Sequence, residues 1–184
     1  GQPVVIENRA GASGMTGTAA VAKGAADGHL WGWVFDTHAV NPSLIAKMPF
    51  DTRADLQPVM HVTRMPMAIV VNASQPWRSF NDVIAATKAK PDTIGFASTG
   101  NGSLAHLMMT LLQIENGFRL VHVPYKGGPP AVQDLLAGHV PMYAASLVLV
   151  LPHIRSGKLR AVAFTGRNRS PLLPDVSTLS EQGF

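Results

Sequence analysis

The sequence has no cysteine, which excludes a disulfide framework, a thiolate metal site and a cysteine nucleophile. Charge is also scarce. Charged residues make up 14% of the 184 residues, roughly half the share of an average soluble domain. Acids are outnumbered 11 to 15, for a net charge of +4 and a pI near 9.8. No acid falls between Asp134 and Asp175, while Arg155, Lys158, Arg160, Arg167 and Arg169 do. A nucleic-acid face would interleave aromatics or a reading motif with such cations. Only Phe164 stands among them, so they read as solvated surface and no nucleic-acid partner is expected. The chain also lacks a run of the ~20 apolar residues that a bilayer requires. The longest candidate, residues 140–151, contains Pro141 and reads as a buried strand leading into the next element. The sequence opens at Gly1-Gln2-Pro3 without a Met and shows no leader-like segment; a mature or truncated product is the expectation. The histidines show neither H-x-H nor H-x-x-x-H spacing and no carboxylates cluster beside them, so no metal and no cofactor is expected.

What is present is enough apolar material for a core: 46% hydrophobic residues and a mean hydropathy of +0.14. The first third is rich in loops. Residues 4–7 have strand character, Asn8-Arg9-Ala10 leads into the glycine run Gly11 to Gly17, and the Ala-rich residues 18–23 suit a short helix stopped by Gly24. Residues 30–35 form an apolar strand candidate and residues 36–42 a polar turn; residues 57–71 carry the β-branched content of one or two strands, broken at Pro66. From Ser79 the pattern is regular. Ser79-Phe80-Asn81-Asp82 resembles a capping box opening a helix to about Lys90. A strand at 94–97, a helix carrying Leu104, Leu107, Met108, Leu111 and Leu112, and a strand at 120–123 come after it. A helix opened by Pro129-Pro130 and closed by Gly138 comes next, then strands at 140–147 and 159–164 with a short helix near 152–156. Beyond Pro171 only an unfinished helix at 177–182 remains. This alternation predicts an α/β fold with a mostly parallel sheet covered by helices.

Ligands of open α/β sheets bind beyond the carboxyl ends of the strands. The strongest candidate there is Ser98, Thr99, Gly100, Asn101, Gly102 and Ser103, a glycine-bearing loop from strand to helix. Its backbone N–H groups and the helix dipole would suit an anion. A second loop holds Tyr125 and Lys126; a third, weaker one holds Thr37 and His38. Ser103 and His106 share a helix face but lack the third group that would activate a nucleophile. The run Gly11 to Gly17 lacks both the G-x-G of a dinucleotide site and a following Walker lysine. Donor-rich loops without a base or nucleophile favour binding over turnover.

Several blocks occur in one order: GQPVVIENRAGASG from Gly1, THAVNPSL from Thr37, ASTGNGSLAH from Ala97, HVPYKGGPPA from His122, LPHIRSGKLRA from Leu151 and RSPLLPDVST from Arg169. Together they resemble the Bug-type periplasmic solute receptors of tripartite tricarboxylate transporters, along essentially the whole chain. The resemblance implies a type II periplasmic-binding-protein fold with two α/β lobes, residues 1–70 and 164–184 forming an incomplete first lobe and residues 71–163 the second. It implies a monomeric, non-enzymatic periplasmic receptor that closes on a small carboxylate-bearing solute and meets the transporter's membrane components. The implied site comprises Thr37, His38, the loop from Ser98 to Ser103, Tyr125 and Ser146. Relatives begin with a further strand and glycine-rich loop and continue past Phe184, so the chain reads as a receptor's middle. Many carry Asp-Asn where this chain has Ala145-Ser146, which would shift specificity away from amino-group-bearing ligands. Two other readings stay open: an α/β enzyme acting on a phosphate or acyl substrate, and the effector-sensing domain of a transcription regulator.

Overall fold

The computed structural model describes every residue except Ala10. Ala10, expected in the loop before the glycine run, lies outside the described residues. The chain divides into two compact units: Gly1–His61 with Gly102–Leu104, and Val62–Asn101 with Ala105–Phe184.

The smaller unit contains α1 (Met15–Ala22) and α2 (Asp36–Leu44). The Thr18 hydroxyl donates to Gly14 O at 3.0 Å, and the buried Asn41 amide donates to Ser13 O at 3.0 Å. Two expectations fail here. Residues 36–42 are helical rather than a turn: Asp36 supplies the acidic first-turn residue that suits a helix N-terminus. Pro42 lies inside this helix and has no N–H to offer the His38 carbonyl one turn back. Residues 4–7 and 30–35 form no strand. Val5 is 90% exposed and Phe35 72%. A strand needs a neighbour to satisfy its backbone, and no ladder forms among the described residues of this unit.

The larger unit is a five-stranded sheet in the order β3-β2-β4-β1-β5. Its strands are β1 (Met67–Asn72), β2 (Gly95–Ser98), β3 (Val121–Pro124), β4 (Met142–Ser146) and β5 (Leu159–Phe164). The helices between them are α3 (Phe80–Ala89), α4 (Leu104–Asn116), α5 (Gly128–Ala137) and α6 (Leu147–Arg155). The sheet is of the expected α/β type, with one strand inverted. β2 pairs in parallel with β3 and β4, whereas β1 is antiparallel to both β4 and β5. Four strands therefore run one way, as strand–helix alternation predicts, and β1 is inserted between β4 and β5 in the opposite sense. Nothing local in a strand's sequence states its direction.

Period-two alternation splits the sheet's side chains between two cores. Ile69, Val71, Phe96, Met142 and Ala144 pack with Phe80, Val83 and Met109 on one face. Ala68, Val70, Ala97, Tyr143 and Ala145 pack with Val132, Leu135 and Val150 on the other. The expected capping box forms: Ser79 Oγ accepts from Asp82 N, and the Asp82 carboxylate accepts from Ser79 N. Arg160 is not part of a solvated cationic surface. Its guanidinium donates to the carbonyls of Gln75 and Trp77 at 2.9 and 3.0 Å, pinning the turn after β1.

Residues 164–184 belong to the larger unit. Phe164 bridges to Thr178, and the Gln182 amide donates to Val162 O while its oxygen accepts from Phe80 N. Phe184 meets Phe80 edge-on at 5.4 Å. Ala68–Val71 belong to one continuous strand paired on both sides.

Candidate functional site

The strand directions put the carboxyl ends of β2, β3, β4 and β5, and the amino end of β1, on one rim of the larger unit. The register makes the order explicit: Pro124 beside Ser98, Met67 opposite Ser146, Phe164 opposite Ala68. Tyr125 N donates to Ser98 O at 3.0 Å, carrying the pairing of β2 and β3 one step beyond the strands.

Ser98 ends β2 and is fully buried. Its hydroxyl lies 2.6 Å from His122 Nε2 and 3.1 Å from both the N and the O of Gly100. It is therefore engaged inside the protein, where the sequence suggested a ligand donor. Thr99 and Asn101 are exposed and Gly100 is partly so. Gly100 has φ +129°, a conformation that favours glycine, and a Cβ there would lie 3.6 Å from Tyr125 O. The expected glycine turn is thus present on the rim. Gly102 and Ser103 are buried and belong to the smaller unit. There a Gly102 Cβ would collide with the Leu44 side chain.

Of the other predicted residues, Tyr125 is partly buried and donates its hydroxyl to Asp134 Oδ2 at 2.8 Å. Burial and that hydrogen bond push the phenol up to about 12, while Tyr125 and His139 hold the Asp134 carboxyl below its usual range. Ser146 ends β4, with its hydroxyl directed to Met65 Sδ at 2.7 Å. Ala145 is fully buried in the α5–α6 face of the sheet. In the smaller unit, Thr37 and His38 occupy the first turn of α2, both partly buried. His38 N donates to Phe35 O at 3.0 Å.

Two features escaped the sequence reading. Asp36 Oδ2 accepts from Leu104 N at 2.9 Å, so one of the leading N–H groups of α4, expected to await an anion, already holds a carboxylate. The helix-start signal at Asp36 was hidden by Pro42, which made the segment look like a turn. The second is a stack of rings beneath the loop. His122 lies 5.0 Å from Phe96 and 4.0 Å from His106, centroid to centroid, at interplanar angles of 28° and 17°. Burial, and then the neighbouring His106, push the His122 imidazole down to about 4, so it is neutral at pH 7. Only the parallel register of β2 and β3, which sets His122 opposite Phe96, could have revealed it.

The comparisons agree with this architecture. Among curated proteins, BugT of Bordetella pertussis is 43% identical over all of this chain. The chain spans 57% of BugT's length. Among solved structures, the periplasmic binding protein BugD superposes with a TM-score of 0.86 at 31% identity over 97% of this chain and 60% of its own. The R. palustris protein Rpa4515, solved with adipate, gives a TM-score of 0.89 at 32% identity over 97% of this chain and 60% of its own. Residues 1–184, the full length of the sequence, match the family described as the tripartite tricarboxylate transporter family receptor, TctC. The chain belongs to the TctC receptor family.

Proposed function

We propose that this chain is a ligand-gripping part of a periplasmic receptor that captures a small carboxylate-bearing solute for a tripartite tricarboxylate transporter. Family membership along the full 184 residues carries this reading. The adipate in Rpa4515 favours a dicarboxylate, and the exposed glycine turn at Thr99, Gly100 and Asn101 supports it. A glycine turn open to solvent lets a solute approach the backbone closely, and bridging water can complete its coordination. Ala145 adds no charge of its own, consistent with a solute lacking an amino group. In a two-lobed receptor the solute would shift the population from open to closed. The receptor would act as a monomer, deliver its solute to the membrane components and leave it chemically unaltered.

Calorimetric titration of the full-length receptor with adipate, shorter dicarboxylates and their diamides tests this. Dicarboxylates should bind and diamides should not; silence towards every carboxylate overturns the reading.

One observation favours the enzymatic alternative: the Ser98–His122 contact has the distance of a nucleophile–base pair. Against it, Ser98 is inaccessible and its oxygen is committed to Gly100. Turnover of an activated ester that disappears in Ser98→Ala would reverse this preference.

A further inference from the structure

We infer that His122 is the positioning residue of the binding loop, a single imidazole that holds the loop's entrance through the Ser98 hydroxyl and its exit through the ring of His106. The inference rests on the receptor reading for its meaning, since it assigns the residue that shapes the turn expected to receive the carboxylate.

Counting protons fixes the chemistry. The Ser98 hydroxyl has one proton to give and two lone pairs to accept with. Around it lie His122 Nε2 at 2.6 Å, Gly100 N at 3.1 Å and Gly100 O at 3.1 Å. If Nε2 were the acceptor, the hydroxyl proton would go to the ring, and Gly100 O would face an oxygen with nothing left to donate. If Nε2 carries the proton, all three contacts are satisfied together: the ring and Gly100 N donate to Oγ, and Oγ donates to Gly100 O. The neutral Nε2–H tautomer is thus the one the geometry requires. Ser98 is fully buried, so water offers no replacement for a missing partner.

The second contact closes the device. His106 lies in the first turn of α4, immediately after the loop, and its ring stacks on His122 at 4.0 Å. Phe96 of β2 covers the ring's surroundings at 5.0 Å. Residues on either side of the loop are therefore registered against one side chain of β3. A loop fixed at both ends loses less entropy when a solute orders it.

The test uses the 184-residue chain and three variants, and it needs no ligand. His122→Phe keeps a stacking ring without a donor, His122→Gln offers a donor at similar reach, and Ser98→Ala removes the hydroxyl. Imidazole nitrogen NMR of the parent chain at neutral pH should show Nε2 protonated; a dominant Nδ1–H form overturns the inference. Hydrogen exchange at Gly100 should quicken roughly tenfold or more in His122→Phe and Ser98→Ala, the scale of one lost hydrogen bond. It should return towards the parent rate in His122→Gln, with exchange at Phe96 and Ala97 unmoved throughout. Unchanged Gly100 exchange in His122→Phe, or equal acceleration across the whole of β2 and β3, reduces His122 to a packing residue. Adipate titration of the full-length receptor is read separately: a confirmed clamp with no adipate binding removes the receptor reading and leaves the clamp intact.

Discussion

The carboxylate of Asp36 accepts the backbone N–H of Leu104 at 2.9 Å, so the start of α4 is already met by a negative charge. On the proposed reading, a solute carboxylate reaching that helix end would meet Asp36. Asp36→Asn keeps an oxygen acceptor and removes the charge. Adipate affinity of the full-length receptor should rise roughly two- to fivefold, the reach of one charge at a helix terminus, and the gain should shrink with salt. Unchanged affinity would mean that the solute stays away from this helix end.

Tyr125 is expected to matter for stability more than for recognition. Its hydroxyl is spent on Asp134, so Tyr125→Phe should lower the melting temperature by a few degrees, about what one hydrogen bond is worth. The Asp134 carboxyl should titrate closer to its ordinary value, as seen by NMR. Adipate binding should change little; a large loss would place the hydroxyl on the solute instead.

The His122 ring makes stability depend on pH in a defined window. Its folded value of about 4 lies below the ordinary histidine value of about 6.5. Between those limits the unfolded chain holds more protons, so stability is fully present above about pH 6.5 and declines as pH falls towards 4. Below that, Asp51, Asp82, Asp134 and Glu181, all held below their usual ranges, lose their contributions in turn. Urea unfolding at pH 7 and pH 5 should show a slope that His122→Phe flattens, while the loss in stronger acid persists in both chains. An equal slope in the variant would assign the window to another group.

Gly100 carries a backbone cost rather than a steric one. Its φ of +129° is unfavourable for any side chain, yet a Cβ would meet nothing nearer than Tyr125 O at 3.6 Å. Gly100→Ala should therefore cost about 1–2 kcal/mol in urea unfolding without collapse of the fold. Gly100→Val should abolish adipate binding in the full-length receptor. Retained affinity in the valine variant would show that the turn is only a connection.

Much of the larger unit could be read directly from the residues. Ser79 and Asp82 announced α3, the leucine and methionine spacing announced α4, and Pro129 with Gly138 bracketed α5. These signals are local: a cap, a stripe and a terminator act within a few residues of chain. What could not be read is non-local. The reversed sense of β1 is set by which strands flank it. Residues 30–35 have strand composition, yet none of the described residues pairs with them. At the site, the glycine turn was visible, whereas the commitments of Ser98 and Tyr125 required knowing that His122 and Asp134 lie beside them. The Asp36–Leu104 contact joins residues 68 apart in the chain, beyond the reach of any spacing rule.

The inverted β1 has a mechanical consequence. Its first residue, Met67, opposes Ser146 on the very rim where the other four strands finish. Residues 62–66 therefore enter the sheet there, and not at its far edge. A pull on the polypeptide just upstream of Met67 would therefore reach the sheet in its interior, between β4 and β5, rather than at an edge strand.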